Sequence, residues 1–149
     1  MDPLDKEILS TLAQNGRITL AELAQKTGLS SPGVSDRIKK LEQQHMIKGF
    51  TVRTDPSRTG YPLLCFIEIS LNTPSDRKIF LEIVRNLPEI LECHHATGDF
   101  DYLLKVRCKD TAHLERIITG EIKEKLERIK TRTTIILSTE KENFSPWED

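Results

Sequence analysis

Five cations, Arg37, Lys39, Lys40, Lys48 and Arg53, fall within one short stretch of a 149-residue chain whose formal net charge is only -1. Just ahead of them stand Ser31, Ser35 and Asp36, short side chains that make hydrogen bonds. Small polar groups followed by cations suit a surface that reads base edges while neutralising phosphates. The charge is unevenly divided. Residues 1–60 hold nine basic and seven acidic side chains, whereas residues 61–149 hold 13 and 16, so a net +2 half is joined to a net -3 half.

The elements that would position this chemistry are legible. Asp2-Pro3 is a cap followed by the residue best suited to a first helical turn, and Leu4, Ile8, Leu9 and Leu12 recur at helical spacing up to Gln14. Asn15-Gly16 breaks that helix. Thr19-Leu20-Ala21-Glu22 is a capping box for a second helix, and Gly28 stops it. Ser30-Ser31-Pro32 starts a third helix with Val34, Ile38 and Leu41 on one face. A connection this short between two helices is that of a helix-turn-helix, in which Ala24 must be small and Gly28 must permit the turn.

On the third helix Ser31, Ser35, Asp36, Lys39 and Lys40 project away from the apolar stripe, so this helix can enter a major groove. Ser31, Ser35 and Asp36 are expected at base edges, and Arg37, Lys39 and Lys40 at phosphates. Residues 47–54 alternate and are β-prone, ended by Asp55-Pro56 and Gly60, which predicts a small β-wing carrying Lys48 and Arg53 near the DNA backbone. One such module neutralises few phosphates, so a dimer is expected.

From Leu63 the pattern changes. Strands are expected over Leu63–Leu71, Ile90–Thr97, Phe100–Cys108 and Thr131–Thr139. Helices are expected over Ser75–Leu87 and Asp110–Glu127, with a tight Gly98-Asp99 turn between the middle strands. The order βαββαβ gives a ferredoxin-like α+β sandwich with both helices on one sheet face. Leu64, Phe66, Leu103, Ile135 and Leu137 stand alongside Ile67, Ile69, Leu104 and Ile136, so both faces are apolar, and the uncovered one calls for a second subunit. The expected division is a winged helix-turn-helix domain over residues 1–60 and a sandwich domain over 61–149.

Composition bounds the rest. At 37% hydrophobic and 30% charged, the chain folds. Its longest apolar run, Leu63 to Ile67, is far below a membrane span, and no signal-peptide pattern opens it, so a soluble, cytoplasmic protein is expected. Cys65, Cys93 and Cys108 suit neither a disulfide framework nor a zinc knuckle. Cys93-His94-His95 is a weak candidate for chemistry because neighbouring residues on a strand point to opposite faces, and the Asp99/Asp101 pair is weak because such a pair, without a further acidic or phosphate-binding element, is common on loops. No catalytic residue, metal or cofactor is expected. A DNA-binding regulator competes with a sensing or assembly module whose helical half binds protein. The tail from Glu140, with Phe144 and Trp147, suits either docking on a neighbouring subunit or mobility.

The segments LDKEILSTLAQNGRITLAELAQKTGLS, VSDRIKKLE, IKGFTV, ATGDFDYLLKV and TIIL, in this order over essentially the whole chain, resemble the leucine-responsive/AsnC (feast/famine) family of transcription regulators. The resemblance implies double-stranded DNA as partner, an effector-binding and oligomerising second domain, dimers that often build octamers, and a small effector, commonly an amino acid. It implies a recognition helix over Ser31–Gln44, with Arg37 at a regularly basic position. It implies an effector cleft at Thr97, Gly98, Asp99, Asp101 and Tyr102, with Thr134 matching a second family threonine. Gly98 would let backbone amides approach a carboxylate, and Asp99 or Asp101 would attract an ammonium group. The same Gly98-Asp99 pair also suits a plain turn. Three positions depart from the family pattern: His45-Met46 where Gly and an aliphatic residue are usual, Arg128 for Gly, and Arg132 for a frequent Thr beside the effector side.

Overall fold

In the computed structural model, which describes residues 1–126 and 128–147, the first helix starts from a reciprocal cap. The Asp5 amide donates to the Asp2 carboxylate at 2.8 Å, and the Asp2 amide donates back to Asp5 at 3.2 Å. Helix α1 runs Pro3–Gln14. Thr19 and Glu22 repeat the device at the head of α2, Leu20–Thr27. Gly28 closes α2 at φ +70°, a left-handed turn that favours glycine. Helix α3, Ser31–Gln43, is capped by Ser30, whose hydroxyl accepts from the Gly33 amide. Ile8, Leu23, Ala24, Val34 and Leu41 form the core of the three.

Helix α3 ends on a paired closure. The Met46 amide reaches the Leu41 carbonyl and the His45 amide reaches that of Glu42, each at 2.9 Å. This geometry needs a left-handed residue, and His45 adopts φ +56° to supply it. Histidine in place of glycine here therefore carries backbone strain.

The expected β-wing is absent: no strand forms over residues 47–54, all of which are described. A strand needs a neighbour to share its amides and carbonyls. Phe50 and Val52 are instead 56% and 81% exposed.

The second unit holds β1 Leu63–Leu71, α4 Pro74–Asn86, β2 Ile90–His95, β3 Tyr102–Cys108 and β4 Ile129–Ile135. The strands form one antiparallel sheet in the order β2-β3-β1-β4. Between β3 and β4 the expected long helix is three short pieces: α5 Thr111–Arg116, a π turn Ile117–Ile122 and a 3-10 turn Lys123–Lys125. β-branched Ile117, Ile118 and Thr119 followed by Gly120 hold a regular α-helix weakly. The wider turn also brings Ile117 and Ile122, five residues apart, into one core, where both are buried. The expected end of this helix, Glu127, lies outside the described residues, as do Glu148 and Asp149 of the tail.

Cys65, Ile67 and Ile69 of β1 and Leu104, Val106 and Cys108 of β3 are buried with Phe80, Ile83, Leu114 and Ile117 from the helical side. The register puts Phe66 and Leu103 on the other face. It also corrects the reading of β4: Thr134 stands opposite Phe66, and Ile135 opposite Cys65, so Ile135 belongs to the helical side. Leu137 lies beyond the end of β4 and is 98% exposed.

By contacts the chain forms two units, Met1–Arg53 with the segment from Glu140 onward, and Thr54–Thr139. The turns at 55–60 belong to the sheet unit and the tail to the helical one. Among the described residues no helix is long and apolar enough to cross a membrane.

Candidate nucleic-acid interface and effector site

Helix α3 owes its orientation to its buried side. Val34 and Leu41 are 0% and 1% exposed, which turns Asp36, Lys39 and Lys40 to solvent. Ser31 and Ser35 are half-buried on the flank beside Lys39, at helical spacing from it. Gln43, four residues after Lys39, completes the exposed face with an amide able to read a base edge. Its helical spacing was the signal in the sequence that could have found it.

Arg37 sits elsewhere. Its Nη1 lies 2.6 Å from Asp2 and 2.7 Å from Asp5, so it ties α3 to the capping box of α1. The Arg37 hydrogen bond, ahead of the Asp5 amide, holds the Asp2 carboxyl below its ordinary range, and Arg37 is pushed up in return. This arginine, expected at a phosphate, already has two carboxylate partners.

Lys48 is exposed in the segment that forms no strand. Arg53 Nη2 donates to the Glu142 carbonyl at 2.9 Å, and its guanidinium lies 5.1 Å from the centre of the Phe144 ring. Phe144 thus packs on its own chain's helical unit.

The expected effector loop is longer than a two-residue turn: β2 ends at His95 and β3 begins at Tyr102. The Ala96 amide donates to the Asp101 carbonyl at 2.9 Å, and the Asp101 amide to the Ile69 carbonyl at 2.8 Å. The Asp101 carboxylate accepts from the Leu71 amide at 2.7 Å, which anchors the loop to β1. Gly98 adopts φ +120°, which a side chain would strain. Thr97, Gly98 and Asp99 are exposed.

Two of the expected effector residues stand apart from this group. Tyr102 is 4% exposed; its ring packs 4.9 Å from both Phe80 and His95, and its hydroxyl is buried without a partner among the described residues. That places the side chain in the core, as the alternation of β3 requires. Thr134 is level with Phe66, four residues along β1 from Ser70, whose hydroxyl donates to the Asp99 carbonyl. At strand rise this is about 13 Å from the loop. Arg132 is closer. It grips Glu68 through Nε at 2.6 Å and Nη2 at 2.8 Å. Those hydrogen bonds raise the Arg132 pKa first, and the charge of Asp99 adds to the effect.

The Cys93-His94-His95 run divides between faces. Cys93 and His95 stand opposite Leu104 and Tyr102, while His94 turns to Glu92 at 3.0 Å. No cluster of three or more potential metal ligands occurs among the described residues.

A helix-turn-helix with a polar, cationic outer face, followed in the chain by a ferredoxin-like sheet unit, is the build of a two-part transcription regulator. Residues 1–48 match the winged helix-turn-helix DNA-binding family, and residues 64–146 match the Lrp/AsnC ligand binding domain. The chain belongs to the Lrp/AsnC family of transcription regulators.

It is 37% identical to the leucine-responsive regulatory proteins of Klebsiella pneumoniae and Escherichia coli, over 96% of this chain and 88% of each relative. Among solved structures it is similar to a Neisseria meningitidis transcriptional regulator in complex with L-methionine. That match has a TM-score of 0.91 and 27% identity, and covers 97% and 95% of the two chains. Escherichia coli AsnC matches at a TM-score of 0.87 with 29% identity, over 97% of both.

Proposed function

We propose that this regulator binds specific duplex sites through α3, with Asp36 and Gln43, flanked by Ser31 and Ser35, at base edges and Lys39 and Lys40 at phosphates. The observation that carries this reading is the exposure of Asp36, Lys39, Lys40 and Gln43 on a helix anchored from behind by Val34 and Leu41. Lys48 and Arg53 add to the positive field of the same unit. A gel-shift salt titration tests it. DNA binding requires a steep loss of affinity with added salt, and K39A/K40A should weaken binding to all sequences about equally. A flat salt response favours the alternative, a sensing or assembly module without DNA.

We further propose a small amino-acid effector at the loop of Thr97, Gly98 and Asp99. Exposed backbone around Gly98 suits a carboxylate and the Asp99 side chain suits an ammonium group. The methionine-bound relative supports the ligand class. Thr134 would join this site only from another subunit, given its distance along the sheet. Calorimetry with the standard amino acids, repeated on Asp99→Ala, tests the assignment, and unchanged binding by the variant removes Asp99.

Half-buried Phe66 and Leu103, on the sheet face opposite the helices, support a homodimer, and octamers are the proposed higher assembly. Leu103→Lys should shift the sedimentation coefficient toward the monomer. The proposed site of action is the cytoplasm, alongside the DNA that the regulator would bind.

A further inference from the structure

We propose that the C-terminal segment from Glu140 is a built-in competitor of DNA at Arg53. The inference rests on the DNA-binding reading above and adds a means of regulating it. Glu142 lies 89 positions from Arg53 in sequence, yet both belong to the helical unit. Contacts of two different kinds with the described residues hold the guanidinium. Nη2 donates to the Glu142 carbonyl at 2.9 Å, and the planar group lies 5.1 Å from the centre of the Phe144 ring.

A guanidinium edge that donates to a carbonyl oxygen is the same edge that a phosphate oxygen would take. The segment that supplies this carbonyl is acidic, with Glu140, Glu142, Glu148 and Asp149 against Lys141 alone. The bond to its carbonyl brings Glu142, an acidic residue, beside the guanidinium, and negative charge near a cation repels an approaching phosphate. The tail thus presents to Arg53 what the DNA backbone would present: an oxygen acceptor in a negative field. Phe144 is 67% exposed, so its contribution is orientation of the arginine rather than core packing.

The test uses the full-length chain carrying Phe144→Ala, Phe144→Tyr, Phe144→Leu, Arg53→Ala, or Arg53→Ala with Phe144→Ala. Fluorescence anisotropy follows a labelled duplex of arbitrary sequence across a salt series. Loss of one cation–π contact should tighten DNA binding of Phe144→Ala and Phe144→Leu about two- to fivefold. One added phosphate contact should steepen the log–log salt slope by about 0.9. Phe144→Tyr should behave as the parent, and Arg53→Ala should abolish the gain in the double variant.

Equal affinity of parent and Phe144→Ala overturns the proposal, as does a gain that survives Arg53→Ala. If the alanine variant fails to fold, Phe144→Leu takes its place, and parent-like affinity of that variant overturns the proposal in the same way. Salt-dependent binding that ignores Phe144 overturns this proposal alone, whereas a flat response of the parent overturns the DNA-binding reading with it.

Discussion

Arg37 and Asp2, 35 positions apart in sequence, meet at 2.6 Å, so the residue that starts α1 also fixes α3. The contact joins a helix cap to the helix proposed to lie in the groove. Arg37 thereby ties down the helix face that carries Lys39 and Lys40.

Arg37→Ala should lower the melting temperature at neutral pH and leave the salt slope of DNA binding unchanged. The pH dependence follows from Asp2, whose carboxyl is held below its ordinary range by Arg37. A depressed carboxyl stabilises the fold above the ordinary carboxylate range, and that contribution disappears as pH falls through the depressed value. The melting deficit of Arg37→Ala should therefore shrink in acid. Melts followed by circular dichroism in neutral and in acid buffer check this, and an equal deficit in each refutes it.

His45→Gly should stabilise the helical unit. The left-handed φ of +56° costs a residue with a β-carbon about 1–2 kcal/mol, offset in part by the greater freedom of glycine in the unfolded chain. The net gain should be about 0.5–1 kcal/mol in urea unfolding, and His45→Val should lose stability.

Asp99→Ala and Asp101→Ala should part company. Asp101 holds the Leu71 amide at 2.7 Å, so its loss should cost about 1–3 kcal/mol of stability. Asp99→Ala should leave the melting curve in place and weaken amino-acid binding. Calorimetry and thermal melts on the same two variants give both readouts.

Tyr102→Phe removes a hydroxyl buried without a partner among the described residues. It should be neutral or stabilising by up to about 1 kcal/mol, and amino-acid binding should be unchanged. Loss of effector binding in this variant would assign the hydroxyl to the ligand.

The elements governed by local chemistry were legible. The caps at Asp2, Thr19 and Ser30, the stop at Gly28 and the stripe of Val34, Ile38 and Leu41 each act within a few residues. The βαββαβ order was equally readable from alternation. What escaped depended on distant partners. Arg37 looks like its neighbours Lys39 and Lys40 until Asp2 and Asp5 arrive beside it. The β-prone run 47–54 has strand composition but no neighbouring edge to bond. Thr134 and the Gly98 loop share a family motif pattern, while sheet register decides their separation. The π turn after α5 was hidden because burial of Ile117 together with Ile122 outweighs helical regularity.

The division of the chain gives the sheet unit two covalent attachments. It leaves the helical unit after Arg53 and rejoins it near Glu140, and the Arg53–Glu142 bond brings exit and return together. A body hung from a single thread swivels and passes on only tension. One hung from two adjacent threads also passes on torque, and the Arg53–Glu142 bond marks where the two threads are tied.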